Sequence, residues 1–343
     1  MKKSLCFKII VLFAALFCIA LFIIVFMFSD EKIALASRSL SEKNELVRFE
    51  LDETLAYILK ADRISFRCTD DFSDCQRLRK SVFFNALILQ ILSEIGEKSF
   101  QSIIQNGIQE LLEDQSEYFF WNFSGGPSTS VHFFPDLDTS SLSAYFLDAQ
   151  GADFHLQEIK ESILGTQFEN GAFLTYLRGF QPPLSNSMNI DPVVNANVLV
   201  ILEKEIPSVC TFINDNFDKS IYYQDDAAMF YMLAKAYSRG CGCIKPSVDR
   251  LYEKLKKSNV YSSKMHLSMF VIGCFLSKNT EKQIIEKAIE FLLENEEKPP
   301  FKESFFSYEN TDGYISFYNP TFSAAVYAEA LTNIKSYLSK SDN

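Results

Sequence analysis

The chain has 343 residues, with 33 Lys+Arg against 44 Asp+Glu and a formal charge of −11. Hydrophobic residues make up 48% and charged ones 22%, which excludes a disordered chain, and a mean hydropathy of +0.01 excludes a polytopic membrane protein. A pI of 4.9 argues against a nucleic-acid binder, which needs a basic face.

Ile9–Phe28 is an unbroken apolar run, long enough as a helix to span roughly 30 Å of bilayer core. Lys2, Lys3 and Lys8 precede it; Asp30 and Glu31 follow. The positive-inside rule puts residues 1–8 in the cytoplasm and the body outside, held by a single signal anchor at 9–28. The competing reading is a secretory signal cleaved near Ala36, after Ala34-Leu35-Ala36. Both export the body. Residues 29–46 read as a polar stalk and 47–343 as one domain. The body holds Cys68, Cys75, Cys210, Cys241, Cys243 and Cys274. Cys68 and Cys75 flank a polar segment and are the expected local disulfide, with buried thiols the alternative for all six. Cys241-Gly242-Cys243 is tighter than a structural zinc pair, and no metal is expected.

From there the hydrophobic period is helical. It predicts helices near Asn44–Ile64, Arg79–Ile95, Lys98–Glu113, Thr139–Ala149, Leu156–Leu164 and Val194–Glu203. Six more fall near Ser208–Phe217, Asp226–Arg239, Ser247–Lys257, Ser263–Leu276, Thr280–Glu294 and Thr321–Leu338. No alternating run competes, so the body is expected to be all-α. Helices apolar on most faces alternate with helices carrying one apolar stripe. The first kind is enclosed and the second lies outside. Enclosed and outer helices in strict alternation describe an α/α toroid of about six helix pairs.

The enclosed helices open alike: Asp138-Thr139-Ser140, Asp191-Pro192 with Asn195 and Asn197 following, Asp225-Asp226-Ala227, and Asn319-Pro320-Thr321. Asp, Asn, Ser and Thr cap free N–H groups, and Pro suits a first turn. Parallel enclosed helices would also gather these residues at one mouth. Asn195, Asn197, Asp226 and Asn319 are therefore the expected ligand-binding residues, above a wall of Phe, Tyr and Met.

The loops before these helices carry a family resemblance. Gln115 precedes an aromatic segment with Trp121, then Phe134-Pro135-Asp136-Leu137-Asp138-Thr139-Ser140-Ser141. Glu169-Asn170-Gly171-Ala172-Phe173 forms a Gly-x-aromatic turn, and Phe306-Ser307-Tyr308 followed by Tyr318-Asn319-Pro320 looks like a last repeat. This order resembles the repeats of the squalene cyclase and protein prenyltransferase superfamily over residues 75–338. The resemblance implies an α/α toroid. It also implies a hydrophobic or isoprenoid ligand. In class II terpene cyclases an Asp-x-Asp-Asp stretch supplies the acid that protonates an alkene or epoxide. Asp136-Leu137-Asp138-Thr139 matches its first and third positions, which makes Asp138 the general acid and Asp136 its neighbour.

The chain departs from the family in places. It has length for one helical domain where class II cyclases generally use two, and a single Trp. The Asp, Cys and His zinc set of prenyltransferases is missing, as is the Asp-Asp-x-x-Asp motif of class I synthases. No cofactor is implied. Three readings remain: a toroid that binds a lipid or other ligand without catalysis, a class II cyclase-like enzyme, and a carbohydrate-active toroid with an open acidic cleft that could use Asp136 and Asp138 with Tyr223, Asp225 and Asp226.

Overall fold

Ser39 and Glu42 close a capping box, each side chain bonded to the other's backbone N–H, and start the first helix at once. That helix, α1 (Leu40–Lys60), therefore begins inside the stretch expected to be a stalk to residue 46. Eleven more α-helices follow among the described residues. They are α2 (Val82–Ile95), α3 (Gln101–Asp114), α4 (Leu137–Ala149), α5 (Leu156–Leu164), α6 (Pro192–Leu202), α7 (Pro207–Asn216), α8 (Asp226–Ser238), α9 (Lys245–Lys257), α10 (Lys264–Ser277), α11 (Lys282–Glu294) and α12 (Pro320–Ser341). The computed structural model describes residues 39–61, 67–68, 81–116, 118–124, 135–177, 190–258, 263–294, 298, 301, 305–310 and 313–341. Ile9–Phe28 lies outside them; among the described residues no helix is long and apolar enough to cross a membrane.

The even-numbered helices form a closed inner ring. Neighbours pack in the order α2, α4, α6, α8, α10, α12, and α12 returns to α2. Each odd-numbered helix lies outside: α3 on α2, α5 on α4, α7 on α6, α9 on α8, α11 on α10, and α1 on α12. Composition explains the sorting. From Ala227 to Ala236 every residue of α8 is buried, whereas α9 buries only Ser247, Val248, Leu251, Tyr252 and Leu255, one stripe at helical spacing. Gly273 lets α10 approach α8, since a Cβ there would strike the Phe230 ring.

The all-α expectation needs one correction. Three short strands, β1 (Arg67–Cys68), β2 (Phe306–Asn310) and β3 (Gly313–Tyr318), form an antiparallel sheet in the order β1-β3-β2. Phe306 pairs with Phe317 and Asn310 with Gly313. Aromatic residues at five of these eleven positions in β2 and β3 favour a pleated surface, but each run is too short to stand out as alternation.

A disulfide joins Cys210 of α7 to Cys243, ahead of α9, while Cys241 and Cys274 are free and buried. Cys75 and the Cys68 side chain lie outside the described residues.

Candidate acid site at the mouth of the toroid

Inner helices run parallel, so their N-termini share one mouth. Three of them are built by one device. Asp136, Asp191 and Asn319 are N-caps: Asp136 accepts from Thr139 N–H at 2.7 Å, Asp191 from Val193 N–H at 2.8 Å, and Asn319 from Phe322 N–H at 2.8 Å. Four residues after each cap, a polar side chain clasps the backbone of a loop aromatic. Ser140 Oγ accepts from Trp121 N–H at 3.0 Å and donates to its carbonyl at 3.1 Å. Asn195 does the same for Phe173, at 2.7 and 3.0 Å. Ser323 Oγ accepts from Phe301 N–H at 3.0 Å. Gln115 and Gln167 repeat a second motif, each donating to the carbonyl four residues on, Phe119 and Gly171. Gly171 needs its positive φ of 86°, and a Cβ there would also collide with Ser208.

This device sorts the expected ligand-binding residues. Asn195 is fully buried and gives its amide to Phe173 and Asp191 carbonyls, so it fastens a loop. Asn319 is a helix cap. Asp226 lies outside the ring, paired with Lys254 at 2.8 Å. It lines an open cleft of about 460 Å³ with Asp225, Gln224, Lys254 and His266. Among the described residues, no group of three or more His, Cys, Asp or Glu side chains is placed to hold a metal ion.

Asp138 differs from all of these. It sits two residues past the Asp136 cap and caps nothing itself. Its side chain is buried, with Oδ1 accepting from Asn197 Nδ2 at 2.8 Å and Oδ2 from Tyr223 Oη at 2.6 Å. Burial pushes its pKa up to about 7. The Tyr223 and Asn197 hydrogen bonds resist that rise and the charge of Asp191 adds to it. Burial also pushes Asp136 up to about 8, against the bonds from Thr139 and with the charge of Asp138 adding. Asp191 is raised by burial as well. Burial drives Tyr222 and Tyr223 well above the ordinary phenol range, with Tyr176 and then Asp191 and Asp136 adding for Tyr222, and Asp138, Asp191 and Asp136 adding for Tyr223. The mouth thus holds three buried aspartates that resist ionising together.

Below Asp138 runs a column of rings. Tyr223 meets Phe305 at 5.5 Å between centroids, Phe305 meets Phe322 at 4.6 Å, and Tyr231 meets Phe305 at 6.4 Å. Phe83 and Phe84 flank it from α2. Phe305 comes from the segment before β2, so the helix ring itself leaves this central place to be filled.

The column ends on charge. Tyr231 Oη donates to Glu329 at 3.0 Å, and Lys235 bridges Glu329 at 3.0 Å and Glu94 at 2.6 Å. Arg239 holds the other Glu94 oxygen at 2.7 Å and lies over the Tyr145 ring. Burial opposes ionisation of Glu94, yet Lys235 and Arg239 hold its carboxyl well below the usual range. Burial raises Glu329 in spite of Lys235.

The sequence pattern found Asp136, Asp138 and Asn197, and the structure brings these three together. It missed Asp191 as more than a cap. The carbohydrate-active alternative grouped Tyr223 with Asp138, and the two do meet across 85 residues, but the Lys235 cluster was missed, its partner Glu94 lying 141 residues away.

No family model and no curated protein matches the sequence. Solved structures match the fold. The apo structure of a variant of the type II terpene cyclase MstE from Scytonema is similar at a TM-score of 0.64 and 14% identity, over 87% of this chain and 99% of that one. Apo MstE itself gives 0.61 and 14%, over 84% and 98%. The chain therefore has an α/α toroid fold. Its toroid is similar in fold to that of these type II terpene cyclases. One toroid covers that solved cyclase chain almost end to end, so the length for a single helical domain is no departure from it.

Proposed function

We propose that the chain is a class II terpene cyclase-like protein that takes an apolar, isoprenoid ligand in the ring and uses Asp138 as general acid. The observation that carries this is a buried carboxyl with a pKa of about 7, held at both oxygens directly above the aromatic column. In the acid form, the Asp138 O–H proton passes to a substrate alkene carbon, and the C=C electron pair forms the new C–H bond. The neighbouring carbon becomes cationic and Asp138 becomes a carboxylate. Ring faces such as Phe305 and Phe83 stabilise that cation. A second C=C of the same molecule attacks that cation, closing a ring and passing the charge on. Loss of a proton to solvent from a carbon beside the final cation restores an alkene, and a solvent proton returns Asp138 to its acid form.

The test is to incubate the protein in D2O with squalene and with geranylgeraniol. A cyclised product carrying one solvent deuterium, absent with Asp138→Asn, supports the reading. No conversion of either, with binding retained, favours the second reading, a toroid that binds a lipid or other ligand without catalysis. The specific observation on that side is Phe305, which fills the space below Asp138. The carbohydrate-active reading has less support, because Asp136 and Asp138 are buried and the open cleft holds carboxylates already engaged by a helix cap and Lys254.

We also propose that the body is exported and tethered by residues 9–28, with cleavage near Ala36 the alternative. The Cys210–Cys243 disulfide supports an oxidising compartment. Protease added to intact cells should digest the body; protection until lysis overturns export.

A further inference from the structure

We propose that Asp191 is the positioning residue of the acid site: its carboxylate fixes both groups that hold Asp138. This rests on the reading of Asp138 as the acid. The two oxygens of Asp191 do different work. Oδ1 accepts from the N–H groups of Val193 and Val194, at 2.8 and 3.2 Å, and sets the first turn of α6. That helix carries Asn197, the donor to Asp138 Oδ1. Oδ2 accepts from Ser220 Oγ and from Ile221 N–H, both at 2.7 Å. Ser220 Oγ in turn accepts from Tyr223 N–H at 2.9 Å. The 220–223 turn is thus wound on one Asp191 oxygen, and Tyr223 leaves it to donate to Asp138 Oδ2. A helix cap needs one acceptor oxygen. The second oxygen of Asp191 is surplus to capping, and its bonds lead by way of Tyr223 to the acid.

Asp191 touches neither the acid nor the column of rings, so it acts through its partners. The titratable groups facing this cluster are Asp136 and Asp138 from the start of α4, Tyr222 and Tyr223 from the turn before α8, and Tyr176 beside Tyr222. The charge of Asp191 also reaches Asp138 through space, so a single substitution would mix two effects. A pair of substitutions separates them.

The experiment follows the Asp138 carboxyl carbon by NMR in the full chain labelled with 13C aspartate, the signal being assigned by its absence in Asp138→Asn. In the native background, Tyr223→Phe removes a hydrogen bond to the ionised form. Proton affinity should rise by about tenfold. In Asp191→Asn, which retains one acceptor for the cap but presents an amide to Ser220 and Ile221, Tyr223→Phe should change it by less than about twofold. An equal change in both backgrounds overturns the proposal. Ser220→Ala, which leaves the cap intact, should weaken the Tyr223 effect in the same sense and serves if Asp191→Asn does not fold; an undiminished effect there also overturns it. The titration needs no substrate. Failure of the cyclase reading would appear as missing turnover, and failure of this proposal as missing coupling.

Discussion

The two ends of the ring are joined differently. Away from the mouth, inner helices pass to outer ones in four residues (203–206) to six (150–155). At the mouth the return connections include 61–81, 115–136, 165–191 and 295–319. The charges differ too. At the far end Lys235 reaches from α8 across the ring to α2 and α12, and both carboxylates of that cluster, Glu94 and Glu329, have a cation. At the mouth Asp136, Asp138 and Asp191 are buried with hydrogen bonds but no ion pair of their own. A paired cluster between helices that face each other fixes the ring. Buried acids without cations resist ionising; the caps account for Asp136 and Asp191, whereas Asp138 caps nothing, which points to chemistry or recognition. Long connections on a rigid scaffold are also where binding residues gather.

The sharpest break of this comparison is at Lys235. Replacing it by Met removes one cation from between two carboxylates. Stability should fall by about 3–5 kcal/mol, the cost of breaking a buried pair from one side. Denaturant unfolding measures it, and a neutral result would show that the far end is not held by charge. The pH dependence comes next. Asp136 and Asp138 have folded pKa values raised above their unfolded ones, so their contribution is complete below about pH 4 and is lost as pH rises through about 7 to 8. Asp138 can account for at most about 4 kcal/mol of that loss and Asp136 for at most about 6 kcal/mol. Glu329 shares the sign, whereas Glu94 is lowered and is already ionised across this window. Hydrogen exchange at the Thr139 amide, taken relative to its intrinsic rate, should therefore quicken from about pH 5 to about pH 8 more than exchange near Glu94. Equal quickening would remove the contrast between the ends.

Asn195→Ala tests the repeated clasp. It leaves the Phe173 N–H and carbonyl without their side-chain partner in a buried place, at a cost of about 1–3 kcal/mol in unfolding free energy. No loss would mean the clasp is idle. This residue also shows where sequence reading stops. Asn195 and Asn197 look equivalent in Val194-Asn195-Ala196-Asn197, yet one fastens a loop and the other reaches Asp138 59 residues away. Two residues turn a helix by about 200°, so only the ring geometry tells them apart. Helix count and order were legible because outer helices carry one apolar stripe at a 3.6-residue period while inner ones are apolar on nearly every face. Lys235 and Glu329 were not, since a charged residue in an apolar helix gives no sign of which distant helix supplies its partner. The mouth was half legible: caps follow from local chemistry, whereas Ser220 and Tyr223 carry no local mark.

The smallest expected effect decides what kind of place the mouth is. Asp138→Asn keeps shape and volume. Oδ1 of the new amide can accept from Asn197, and the Tyr223 hydroxyl can rotate to accept from the new NH2 group. Below about pH 4 the native carboxyl is in its acid form, which a neutral amide resembles. Unfolding free energy should change by less than about 0.5 kcal/mol in that range, where ionisation of the unfolded chain adds little. Asp136→Asn serves as its control in the same loop, because it disturbs a cap that bonds Thr139 through both oxygens and should cost about 1 kcal/mol. A stable Asp138→Asn beside a weakened Asp136→Asn means that Asp138 is held in place for something other than the fold. The opposite ranking, measured by the same denaturant titrations, would make Asp138 a structural bridge between α4, α6 and the turn before α8 and would remove the ground for an acid site.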